Sequence, residues 1–209
     1  MSGLIRQELA ALEATVATCE RCFGPERRTG VRFQRPGIAE GLLVLIERSP
    51  RQVLAGERRL DLTAEDAALR YLGELLNTAE IPRDVVMIAP CLMCRPHARR
   101  LEAAVPVVTA VEECSGHVRE LLRICRPRLV VSLGRISLRA VRSALAEEAE
   151  AADLRFPEAV GRVIEVAGIA ILPLYHVTAR ARLTRPEEQQ ARDWRNVGQV
   201  WRGRAAVPG

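Results

Sequence analysis

The chain has 209 residues and not one lysine; all 31 of its basic side chains are arginine, set against 26 acids for a net charge of +5. Arginine codons displace lysine codons in a GC-rich genome, but the consequence is chemical. Arginine grips phosphate through a rigid two-pronged fork, so this basic surface suits a nucleic-acid backbone, although charge alone only permits that partner. No apolar run reaches the length a helix needs to span a bilayer. The N-terminal stretch, MSGLIRQELAALEATVATCE, is amphipathic and carries acids. It reads as a helix and not as a secretion signal, so the expected location is cytoplasmic. Internal repeats and low-complexity linkers are missing too. A single domain over 1–209 is expected, with a first helix and loop over 1–40, a core over 41–202 and a short tail over 203–209.

What is present is an alternation of buried strands and helices. GLLVLIE (41–47), DVVMIAP (84–90) and RPRLVVSLG (126–134) are short apolar runs of the kind that fill a parallel sheet covered on both faces. Helical patterns occupy 63–78, with Thr63 as the expected N-cap, then 107–125 and 135–149. RVIEVAG followed by IAILPLYH reads as paired strands ending at His176. A last helix over 186–201 starts at Pro186. This order predicts a three-layer α/β/α fold around a central, mostly parallel four-stranded sheet. Ligands bind such sheets beyond the carboxyl ends of the strands. Those ends fall at Glu47–Pro50, Pro90–Cys94, Gly134–Arg135 and Tyr175–Arg182.

Six cysteines in a reducing compartment point away from disulfides and toward metal ligation, redox chemistry or burial. Cys19-x-x-Cys22 and Cys91-x-x-Cys94 each have a spacing that lets two thiolates grip one centre, and thiolates select zinc or iron–sulfur groups. A four-cysteine zinc site built from the two pairs is one reading. Cys114 lies on the polar side of its helix pattern, unusual for a packed cysteine. Cys125, after Leu121, Leu122 and Ile124, reads as a small packed hydrophobe.

The order of these segments resembles the iron–sulfur uracil-DNA glycosylases of family 4. The similarity runs over residues 12–198: CERC near the N-terminus, CRP after a hydrophobic strand, a cysteine some twenty residues on, RICRPRLVVSLGR, GIAILPLYHVTARARLTRP, and the closing region around Trp194. The resemblance implies a uracil-DNA glycosylase-like fold and a [4Fe-4S] cluster held by Cys19, Cys22, Cys94 and Cys114, with Cys91 left over. It also implies a monomer, acting without a membrane, that hydrolyses the N-glycosidic bond of a flipped, deaminated base in DNA, uracil or a relative of it.

By position, the resemblance implies that His176 stabilises the departing base and that the following segment enters the minor groove, with Val177, Thr178 and Ala179 as wedge and Arg180, Arg182 and Arg185 facing the DNA. Arg95 and Arg135, at strand ends, join the DNA-contacting set. The first catalytic motif departs from the family pattern. Glu47 matches the family's glutamate, but Arg51 and Gln52 stand where acids are expected, leaving Glu47 or Gln52 to position the water. The aromatic that stacks on uracil has no counterpart near Gly56, and Pro90 stands where a base-reading asparagine is expected. Hence a second reading: a DNA-binding relative that has lost base excision.

Overall fold

The computed structural model of the chain describes residues 2–22, 27–29, 41–48, 66–96 and 107–205. Helix α1 (Ser2–Thr18) is followed by β1 (Arg27–Thr29) and β2 (Leu42–Arg48), then helix α2 (Ala67–Thr78). After these come β3 (Val86–Leu92), β4 (Cys94–Pro96), α3 (Val107–Cys125), β5 (Leu129–Leu133) and α4 (Gly134–Ala144). The chain closes with β6 (Ile164–Val166), β7 (Ile169–Leu174), the short α5 (Ala179–Thr184) and α6 (Glu187–Ala205).

The apolar runs pair as expected, and the sheet gains one member. Its order is β3-β2-β5-β7-β6. The first four strands are parallel, while β6 pairs antiparallel with β7 as the near arm of a hairpin. The four expected strands are thus the parallel set, and a fifth seals one edge. Side chains alternate across the sheet as the strand period requires. Leu43, Leu45, Met87, Ala89, Val130 and Ile171 pack against α1, α3 and α4. Leu42, Val44, Ile88, Val131, Leu172 and Leu174 pack against α2 and α6, where Trp194 is 1% exposed.

Two local expectations shift. Helix α2 starts at Ala67 and not at 63, because the Asp66 carboxylate is its N-cap, accepting from the backbone N–H of Ala68 (2.9 Å) and Leu69 (3.1 Å). Thr63 lies outside the described residues. The arginine-rich stretch after His176, expected as a loop, contains the six-residue helix α5, whose N-cap Thr178 accepts from Ala181 N–H at 3.3 Å.

Successive strands are added to one side of β2 (β3) and then to the other (β5, β7), so the winding order switches between β2 and β5, the point where doubly wound sheets open a crevice. On the α2/α6 face, the two helices meet more closely than side chains ordinarily permit. A Cβ placed on Gly198 would fall 2.1 Å from the Ala79 carbonyl oxygen. Arg202 reinforces the junction, donating from Nη1 to that oxygen (3.3 Å) and to Glu80 (2.9 Å). Gly198→Ala is therefore expected to cost about 1–3 kcal/mol by forcing α6 off α2. Gly203→Ala, where nothing lies within 4 Å, should hold or raise the melting temperature. Thermal denaturation of the two variants checks this pair.

Candidate functional site

The register of the parallel strands puts three chain segments on one rung at the carboxyl edge. Leu45 pairs with Ser132, and Leu133 pairs with Leu174. Continued by one or two residues, the same register sets Glu47, Gly134 and Tyr175 side by side, with His176 next in the chain. The backbones of β2 and β7, separated by β5, stand on the order of 10 Å apart.

His176 is fixed from three sides. Its Nδ1 accepts the Thr178 backbone N–H at 3.2 Å. A nitrogen that accepts carries no proton, so the ring is neutral and its proton sits on Nε2. Burial lowers the imidazole pKa below its ordinary value, while the Asp66 carboxylate pulls the other way. Gly134, at φ +85°, runs beneath the ring, and a Cβ there would sit 3.5 Å from the His176 Cβ. Gln190, 2% exposed, donates from Nε2 to the Arg185 carbonyl at 2.8 Å and to the His176 carbonyl at 3.5 Å. Beside the imidazole, α4 begins with no side-chain cap and no acid in its first turn. Its free N–H groups and the positive end of its dipole therefore favour negative charge at this edge.

The remaining expected residues are placed as follows. Glu47 is half-buried at the end of β2, and its carbonyl accepts from the Cys91 thiol at 3.3 Å. Gln52 lies outside the described residues, as do the positions near Gly56. Val177 is 1% exposed and packs into the core, so of the three expected wedge residues only Ala179 faces solvent fully. Arg185 is committed within the protein, forking onto Asp193 at 2.6 and 2.9 Å. Arg182 pairs with Glu187 at 3.3 Å and lies 4.7 Å over the Tyr71 ring. Arg180 is exposed. The backbone of Arg95 lies in β4, opposite Arg28 of β1, and Arg135 is exposed at the start of α4.

Sequence reasoning missed three side chains at this edge. Leu183 on α5 is 85% exposed, the most exposed large apolar side chain among the described residues. Asp66, the N-cap of α2, also acts by charge on His176. Phe156 comes from a polar loop to make a T-shaped contact with Tyr175, centroids 5.0 Å apart. Its one sequence signal was being an aromatic in a chain that is 3% aromatic.

A second constellation sits behind the sheet. Cys22 follows α1, Cys94 opens β4 and Cys114 lies in α3, 3% exposed, so its polar-side placement is corrected: it faces the other thiols. Cys22 and Cys94 both hydrogen-bond to Cys114, which lowers the Cys114 pKa and raises theirs. Cys19 acts on Cys22 by charge. As these side chains stand, no group of three or more His, Cys, Asp or Glu among the described residues is arranged to hold a metal ion. The donors nonetheless fit a thiolate-bound group in kind, being three converging sulfurs with a fourth nearby.

Arg21 seats this turn on α3, donating to the Glu113 carbonyl at 3.4 Å, and Arg123 ties α3 to Glu8 of α1 at 2.7 Å. Cys91 stands apart from the cluster: burial pushes its thiol up to about 12. Cys125 packs against Met87, sulfurs 3.5 Å apart, as a small hydrophobe does.

The family model described as Uracil DNA glycosylase superfamily matches residues 25–197. The match takes in the whole sheet, His176 and two of the converging cysteines, Cys94 and Cys114. Cys19 and Cys22 precede it.

Both Gly134→Ala and Gly168→Ala place an L side chain at positive φ, +85° and +76°, so each is expected to cost about 1–2 kcal/mol. Gly168 has nothing within 4 Å. Only the Gly134 variant should therefore shift the ring resonances of His176, a difference that NMR of the two proteins reads directly.

Proposed function

This chain belongs to the uracil DNA glycosylase superfamily, and we propose that it is a DNA-repair N-glycosylase that hydrolyses the bond between deoxyribose and a flipped, deaminated base, uracil or a close relative. The observation that carries the reading is the neutral His176. Its Nδ1 is occupied by Thr178 N–H, so Nε2–H is left as a donor at the carboxyl edge of the sheet.

In such a hydrolysis the C1′–N bond breaks with its electron pair going to the base, and the sugar becomes oxocarbenium-like. Nε2–H of His176 donates to the oxygen of the base where negative charge accumulates. It gains strength only as that charge develops, which is what lowers a barrier. The uncapped start of α4 adds its dipole to the same edge. Water then adds to C1′, and its proton passes to a base or to solvent. Glu47, across β5 from His176, is the carboxylate available to orient that water, with Gln52 as the second candidate through its amide.

Base flipping asks for an apolar wedge and cations on the flanking phosphates. Leu183 suits the wedge better than Val177, since one is exposed and the other is core. Arg180 and Arg135 serve the phosphates, while Arg182 and Arg185 brace α5 through Glu187 and Asp193. The first motif, with Arg51 and Gln52 in acid positions, favours one other reading, a DNA-binding relative without excision.

Cys19, Cys22, Cys94 and Cys114 would hold the [4Fe-4S] cluster that the family resemblance implies. When bound, it supplies a structural tie that closes the chain from residue 19 to residue 114.

Oligonucleotides carrying uracil, hypoxanthine or xanthine should yield abasic sites with the native protein. His176→Ala should lower the single-turnover rate by about 100-fold or more. Leu183→Ala should slow excision from duplex more than from single strands. Salt-dependent binding with no product on any lesion would establish the non-catalytic reading instead. Purified without air, the protein should be brown and contain iron, and Cys114→Ser should lose both. A colourless protein with stoichiometric zinc would refute the cluster.

A further inference from the structure

We infer that a second groove, on the outer face of α4 beside the His176 site, receives the phosphodiester backbone of a nucleic-acid strand, with Phe156 as a stacking edge. This rests on the DNA reading above and extends it, from Arg135 outward, to a surface beyond the residues assigned to excision.

The groove is a cavity of about 420 Å³ whose walls carry Arg135, Arg139, Arg142, Arg155, Phe156 and Glu158. Four guanidinium groups thus face one carboxylate. Arg135, Arg139 and Arg142 recur at intervals of four and three residues, so they project from one side of α4. The span from Arg135 to Arg142 is about 10 Å, enough to meet more than one phosphate of a single strand. Arg155 joins the lining from the segment after α4, its Nε on the Ala152 carbonyl at 3.0 Å and its two terminal nitrogens without a carboxylate partner among the described residues.

The charges are available. Arg142 has no carboxylate partner among the described residues, and Arg139 has only a long, exposed contact to Glu112 at 3.4 Å. Such surface pairs contribute little and exchange readily for a phosphate. A further cavity of about 530 Å³ shares Arg139, Arg142 and Arg155 and extends the track along alanines 146, 149, 151 and 152, its lining also carrying Glu112 and Glu148.

The inner end of this track meets the site. Arg135 lies 5.9 Å over the Phe156 ring, and that ring packs edge-on against Tyr175, the neighbour of His176. Bidentate guanidinium forks in a row, ending on a half-exposed aromatic ring, form the combination that tracks a phosphate backbone and stacks its bases. A single small anion needs neither the length nor the ring.

The test is fluorescence anisotropy with a labelled duplex and its matching single strand over a series of salt concentrations, in full-length protein carrying His176→Ala so that binding is read without turnover. Arg142→Gln with Arg155→Gln should raise Kd by about tenfold. It should also flatten the log–log salt slope by about 2 on duplex, at about 0.9 per phosphate contact. Arg142→Lys, which keeps the charge, should retain most of the slope, and Arg162→Gln, exposed and outside the groove, should change nothing. Phe156→Ala should weaken single-strand binding roughly fivefold or more, with a smaller effect on duplex.

An unchanged Kd and slope in the double arginine variant, at an unchanged melting temperature, overturns the groove. So does a parent protein that binds neither probe. Absence of excision on every lesion, with the slope still falling, would overturn the glycosylase reading and leave the groove standing.

Discussion

One hydrogen bond organises the edge of this protein where chemistry is proposed: the Thr178 backbone N–H to Nδ1 of His176. It occupies one ring nitrogen, leaves the other as a donor, and does so in a setting where burial already disfavours the charged form. The bond exists because the chain turns sharply after β7, with Val177 anchored in the core and Thr178 capping the next helix. On the other side, Gly134 lets β5 pass into α4 directly beneath the ring. Removing any one of these leaves a histidine near the sheet but not one held in a single tautomer.

The parallel register explains why so few side chains suffice. Strands β5 and β7 end level with one another and β2 runs two residues further, so Glu47, the start of α4 and His176 come to the same edge without a long connecting loop. The cysteines do a different job at the opposite layer, gathering the turn after α1, the start of β4 and the middle of α3. The proposed cluster would tie these segments together, on a layer separate from the edge where excision is proposed.

The four parallel strands were legible because each is a continuous apolar run, which a buried parallel sheet requires, whereas the short polar β1 and β4 were not read; α3 was read to the residue from its helical pattern. The α2 boundary was not. Both Thr63 and Asp66 can cap, and only the fold shows that the Asp66 carboxylate takes the free N–H groups. His176 was visible from its place at a strand end, but its tautomer depends on a neighbour's backbone, which no residue pattern reveals. Val177 misled because position along the chain says nothing about burial, while Leu183 was hidden inside a stretch read as a loop of arginines. Phe156 approaches Tyr175 across nineteen residues of sequence, and contacts of that kind leave no periodic trace.

The held, neutral His176 is the claim on which the functional reading turns, and long-range ¹H–¹⁵N NMR of the histidine side chains, recorded over a pH series, tests it most directly. The structure predicts a neutral ring protonated on Nε2 at pH 7, titrating below the ordinary histidine value of about 6.5. Because the unfolded chain takes up that proton first as pH falls, the group's contribution to stability is present above about 6.5 and lost on acidification. A proton on Nδ1, or an imidazolium persisting at neutral pH, would contradict the account.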